Sequence, residues 1–235
     1  MRKTLHFFFG LLISVLAAVS TQAQSTPEAV EMLRAVNTRF NKVNDYMADA
    51  RIVTKISFLN ILPQQARVFY RKPDKFRLKA KGIAVLPKQN FDALFKLTAD
   101  EKQYMAFVTG RDSVRKQWCA VVNLVPLADT GDLVLARLWI DPVSDLIFRA
   151  NLTTRSSGTV VVDYEYGRLA QWALPDRATF TIDVKRFKIP KAVSADINST
   201  SARGNKAPRE GKGSISISFS NYVLNKGVPD AWFAD

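Results

Sequence analysis

Val68-Phe69-Tyr70-Arg71-Lys72-Pro73-Asp74-Lys75-Phe76-Arg77-Leu78 is the stretch that decides the fold. Ala66 to Tyr70 carries the aromatic and β-branched residues that fit a pleated surface. Lys72-Pro73-Asp74-Lys75 then reads as a turn, because proline presets the first corner dihedral and aspartate favours turn positions. Beyond it, Phe76 to Lys81 alternates. Phe76, Leu78 and Ala80 face one way, and Arg77, Lys79 and Lys81 face the other. Two strands joined by so short a turn are antiparallel.

Working outward, Ser25-Thr26-Pro27-Glu28 is a helix start: a hydroxyl cap, an early proline and an acid in the first turn. Leu33, Val36, Phe40 and Val43 form one apolar stripe, which predicts a helix of about five turns. Strands follow from Tyr46, over Arg51 to Leu59 with a corner at Leu62-Pro63-Gln64. Asn90 to Ala99 reads as a short helix. Further strands are predicted over Gln103 to Val108, Val114 to Val125, Leu133 to Ile140, Leu146 to Thr154, Thr159 to Tyr166, Ala178 to Val184 and Gly213 to Tyr222. Turns are expected at Gly110-Arg111-Asp112, Asp141-Pro142-Val143-Ser144 and Ser156-Ser157-Gly158. Ile215, Ile217 and Phe219 alternate with Ser214, Ser216 and Ser218, the mark of a sheet with one wet face. Short connections between successive strands imply an antiparallel meander. Trp118 to Val125 and Leu133 to Ile140 are apolar on both faces and need cover from both sides, one by helices and one by a loop, a partner or a ligand. Ala195 to Lys212 is polar and basic and reads as a mobile loop inside a single domain.

Arg2 and Lys3, the apolar run Phe7 to Val19 and the small-residue exit Thr21-Gln22-Ala23 have the layout of a secretory signal peptide over residues 1–23. The expectation is one exported domain, 24–235, soluble in the periplasm after cleavage. His6 is the only histidine, so the exported chain can build neither a Ser-His-Asp triad nor an imidazole metal site. Cys119 is the only cysteine, which excludes an intrachain disulfide, and its apolar surroundings read as those of a buried, inert thiol. The formal net charge is +13, and most of it lies beyond Arg2 and Lys3. Outside the cytoplasm that charge would meet anionic lipid, lipopolysaccharide, cell-wall polymer or an acidic partner rather than nucleic acid. No phosphate-binding glycine loop, GxSxG or HExxH occurs. Asp163 and Glu165 share a strand face, either as a solvated surface or as an acid and base for a hydrolase. The chain does hold 15 phenylalanines and four tryptophans. A helix stripe set on a curved sheet can enclose an apolar pocket, and periodicity leaves open whether that space is filled or empty.

Three regions resemble the periplasmic outer-membrane lipoprotein carriers, the LolA-like family: Leu33 to Val43 leading through Asn44-Asp45-Tyr46 into a strand, Val68 to Leu78, and Leu138-Trp139-Ile140-Asp141-Pro142 with Leu146-Ile147-Phe148-Arg149. The tail, Phe219 to Gly227, is similar to Bacteroidetes-type members. The resemblance implies a mainly β fold with α: an unclosed antiparallel half-barrel covered by the N-terminal helix and a short internal helix. It implies a carrier rather than an enzyme, with no cofactor, probed at Leu33, Phe40, Phe69, Phe76, Trp118 and Trp139 as candidates for lining a cavity for lipoprotein acyl chains. Its partners would be an inner-membrane release complex and an outer-membrane acceptor, and the carrier would be a monomer. Lys72 stands where the family has an arginine that closes helices onto the sheet, and lysine lacks the planar fork of donors. A lipid- or lipopolysaccharide-sensing regulator on the same fold is the alternative reading.

Overall fold

The computed structural model describes residues 25–56, 61–73, 75–80, 98, 100–128, 131–156, 158–183 and 212–234. The signal segment 1–23, the basic loop up to its last residue and the 90–99 helix apart from Thr98 lie outside these residues.

Helix α1 spans Pro27–Phe40, with Pro27 and Glu28 in its first turn and Arg39 in its last. It is shorter than the apolar stripe predicts. The Lys42 and Val43 N–H groups turn back to the carbonyls of Arg39 and Phe40, tightening the exit, so Val43 is buried outside the helix. Ten strands follow among the described residues: β1 Asp45–Lys55, β2 Gln64–Arg71, β3 Lys75–Ala80, β4 Tyr104–Val114, β5 Gln117–Pro126, β6 Leu133–Asp141, β7 Leu146–Thr154, β8 Gly158–Glu165, β9 Arg177–Asp183 and β10 Lys212–Leu224. They form one sheet in the order β3-β2-β1-β10-β9-β8-β7-β6-β5-β4, antiparallel throughout. The sheet does not close. β3 and β4 are its two edges, and the chain passes from one edge to the other between Ala80 and Tyr104.

The expected turn at Gly110-Arg111-Asp112 is not there. β4 runs through it with a register shift between Val108 and Gly110, where glycine accommodates a bulge. The chain reverses instead at Arg115 and Lys116, whose φ angles of 51° and 70° suit a two-residue hairpin turn.

One face of the sheet is apolar on every strand. Ala48, Ala50 and Ile52 of β1, Val68 of β2, Ile215 and Ile217 of β10 and Phe180 of β9 form one buried cluster. Val122 and Leu124, Ala136 and Leu138, and Ala150 form a second with Ala29, Leu33 and Val36 of α1. Leu152 and Tyr164 touch both clusters, so the inner face is continuous. The doubly apolar strands β5 and β6 are resolved by a small satellite cluster on the outer face, where Cys119, Val121 and Trp139 pack with Val114 and Phe148.

Candidate functional site

The inner face is the candidate site. α1 has 14 residues and is therefore roughly 21 Å long, whereas ten paired strands measure roughly 43 Å across. The helix can cover at most about half of that width. It sits on the β4 to β7 half and reaches the other half only at its end, where Phe40 lies 5.3 Å from Tyr70. There the aromatic rings continue inward. Tyr46 stacks on Tyr70 at 5.3 Å and meets Tyr222 at 5.6 Å, and the Tyr222 hydroxyl donates to the Pro175 carbonyl. Burial pushes the Tyr46 and Tyr222 phenols well above their ordinary range and the Tyr164 phenol up to about 12, so all stay neutral at physiological pH. Tyr104, in the α1 half, is buried with a hydroxyl that has no hydrogen-bond partner among the described residues.

α1 is fixed along its length. Arg34 makes a forked pair with Glu101 at 2.9 and 3.0 Å, Asn37 exchanges hydrogen bonds with Thr98, and Arg39 pairs with Asp145 at 3.1 Å. Its exit is held from two sides. The Lys72 ammonium donates to the Asn41 carbonyl while the Lys72 N–H donates to Asn44, and Asn225 bridges the Lys42 carbonyl and the Asn44 N–H. Lys72 therefore ties the β2–β3 turn to the C-terminal end of the helix. Arg71, next to it, faces outward and donates to the Val228 carbonyl.

The candidate lining residues separate by face. Leu33, Phe40 and Phe76 are on the inner face. Trp118 falls on it by alternation but stands at the end of β5, 70% exposed. Phe69 and Trp139 are corrections, for both lie on the outer face. Phe69 is fully buried under Trp232, the rings stacked at 4.7 Å, and Trp139 donates its indole N–H to Asp112 at 2.9 Å. Each sits in an apolar triplet, Val68-Phe69-Tyr70 or Leu138-Trp139-Ile140, and such a run does not declare its face. The carboxylates weighed as acid and base are both in ion pairs, Asp163 with Arg149 at 2.6 Å and Glu165 with Arg115 at 2.8 Å and Arg177 at 3.4 Å. Burial, first of all, pushes the Cys119 thiol up to about 11, which keeps it protonated. The inner aromatic group of Tyr46, Tyr70 and Tyr222 was not singled out from sequence. Its members are scattered over three strands, and only pairing of β1 with both β2 and β10 assembles them.

An unclosed, all-antiparallel sheet with one apolar face and a helix laid across half of it defines a class of fold, the half-barrel. No family model matches the sequence, and no curated protein matches it. Solved structures do match. A domain of an outer membrane lipoprotein-sorting protein from Vibrio parahaemolyticus aligns with a TM-score of 0.58 at 10% identity, over 88% of this chain and 96% of that one. A LolA superfamily protein from Nitrosomonas europaea aligns at 0.57 and 12% identity, over 88% and 97%. A DUF1329 family protein from Desulfovibrio piger aligns at 0.55 and 11% identity, over 90% and 98%. The chain has the LolA-like fold.

Proposed function

We propose that this protein is a periplasmic carrier that holds the acyl chains of lipoproteins, or of another envelope lipid, against the inner face and delivers them toward the outer membrane. The observation that carries this reading is the continuous apolar inner face of an unclosed sheet, broader than α1, with Leu169, Trp172 and Leu174 packed on the half that α1 leaves. Each methylene taken out of water contributes about 0.8 kcal/mol, so a chain of a dozen or more methylenes needs a container worth about 10 kcal/mol to travel through water. The lipoprotein-sorting protein of like fold supports lipoprotein as the cargo class. The signal-like segment supports work outside the cytoplasm, where a release complex and an acceptor would be the partners. No covalent chemistry is assigned, since Asp163 and Glu165 are engaged by arginines. Leu33, Phe40 and Phe76 contact the cargo, and Lys72 holds the helix end over it.

Native mass spectrometry of the purified protein, followed by transfer of a diacylated peptide to acceptor vesicles, tests the proposal. Co-purifying acylated species that pass to the vesicles are expected. Absence of any acyl ligand overturns it, and tight retention without transfer replaces carriage by lipid sensing.

A further inference from the structure

The outer face of β1, β2 and β3 carries a concentration of charge that the carrier reading does not use. Alternation places Arg51 and Lys55 of β1, Arg67 and Arg71 of β2, and Lys75, Arg77 and Lys79 of β3 on that one face. The register sets them side by side: Arg71 opposite Lys75, Arg67 opposite Lys79, and Phe69 opposite Arg77. Against these seven cations, the described residues of the face offer Asp45 and Asp49 from β1, and Asp230 from the chain's last turn. On the far side of β1 the neighbours are Ser214, Ser216 and Ser218, which add no charge of either sign.

A second feature lies on the same face. Residues 228–234 cross it as a strap, held by Arg71 on the Val228 carbonyl and by Asp230 between Arg71 and Lys75. The strap lays Trp232 on Phe69 and leaves the indole 38% exposed, with the Lys79 ammonium 5.5 Å above it. Phe233 lies beneath Arg71 and Lys75 at 5.3 and 5.8 Å. Cations interleaved with a partly exposed tryptophan are the composition that seats a protein at the headgroup level of an anionic bilayer. An acidic protein would be met by the charge but gives no reason for the aromatic rim.

We propose that the outer face of β1–β3, with Trp232 at its rim, docks on an anionic phospholipid surface. β3 is also an edge strand, and its other face presents Phe76, Leu78 and Ala80 to the interior. Docking therefore brings the open margin of the sheet against the headgroups. The proposal does not require that the protein carry acyl chains.

The test is flotation of the exported chain with phosphatidylcholine vesicles, with and without about one-third phosphatidylglycerol, at low and high salt. Binding is expected only to the anionic vesicles and is lost in high salt. Arg51→Glu with Lys55→Glu, two exposed positions without an ion pair among the described residues, should weaken it about tenfold or more. Arg111→Glu with Lys116→Glu makes the same charge change at the opposite edge of the sheet and should leave most of it. Trp232 fluorescence, read as the difference between the protein and its Trp232→Phe variant, should shift to the blue on docking. Equal weakening by both double variants overturns the proposal, because net charge alone would explain it. So does failure to bind anionic vesicles, and so does capture by polyglutamate but not by vesicles, which assigns the face to an acidic protein. Should the reversal variant misfold by circular dichroism, Lys79→Gln with Trp232→Phe replaces it, with the same weakening expected. Loss of vesicle binding with acyl transfer intact, or the reverse, separates this proposal from the carrier reading.

Discussion

Two side chains carry the residue-scale argument. Lys72 donates to a carbonyl at the end of α1, where the helix dipole is negative and a cation is favoured. Lys72→Ala should cost about 0.5 kcal/mol, while Lys72→Arg, which keeps a donor in reach, should cost less. Hydrogen exchange should quicken in residues 39–44 of the alanine variant first, and unchanged exchange there would deny Lys72 any closing role. Tyr104 runs the other way. Its hydroxyl is desolvated without a partner among the described residues, and that burial, before the nearby Glu101 charge, pushes its pKa up. Removing a hydroxyl that makes no bond relieves its desolvation, so Tyr104→Phe should stabilise the ligand-free protein by about 1 kcal/mol in urea unfolding. A loss of stability would mean that the hydroxyl is satisfied by ordered water.

The elements were legible wherever alternation was clean. Phe76, Leu78 and Ala80, and Ile215 and Ile217, fixed both the strand and its inner face, and Pro27 with Glu28 fixed the start of α1. Legibility failed for three physical reasons. A turn built on Arg115 and Lys116 carries none of the residues that normally tolerate positive φ, so the glycine at the bulge looked like the corner instead. The triplets around Phe69 and Trp139 are apolar on both sides, so their faces came only with the fold. The strap, with its single turn at Asp230–Trp232, is too short for any periodicity. That strap is the element whose pH response can be derived. Lys75 first, then Arg71, hold the Asp230 carboxyl below the usual range. A group whose folded pKa is depressed contributes stability above its unfolded value, near 4, and loses it as pH falls through the folded value. The strap should stay seated at neutral pH and release only below about pH 4. In Asp230→Asn it should be loosened at neutral pH and show no such acid step. Hydrogen exchange over 228–234 reads both. An acid step that survives in the variant would transfer the response to another carboxylate.

At the scale of the whole molecule, the decisive property is that the sheet never closes. β3 and β4 remain edges, and Ser25 and Thr26, just before α1, bond Ala106 and Val108 of β4, which blunts one of them. Two apolar halves share one face; among the described residues Leu152 and Tyr164 touch both, and α1, tied down over one half by Arg34, Asn37 and Arg39, reaches the other through Phe40. A ligand that lies along the face therefore bridges the two clusters, and it binds the folded chain alone. Linkage then sets the size of the response. Ligand at one hundred times its dissociation constant stabilises by about 2.7 kcal/mol, which for a chain of this size raises the melting temperature by roughly 5–10 °C. The rise should grow with acyl length, because each added methylene deepens burial, and should stop when the face is filled. Replacing Phe40 by Ala, at the junction of α1 with the aromatic group, should lower the ligand-dependent rise more than it lowers the melting temperature of the empty protein. A melting temperature that ignores acyl ligands of every length would mean that the two halves are already sealed against each other.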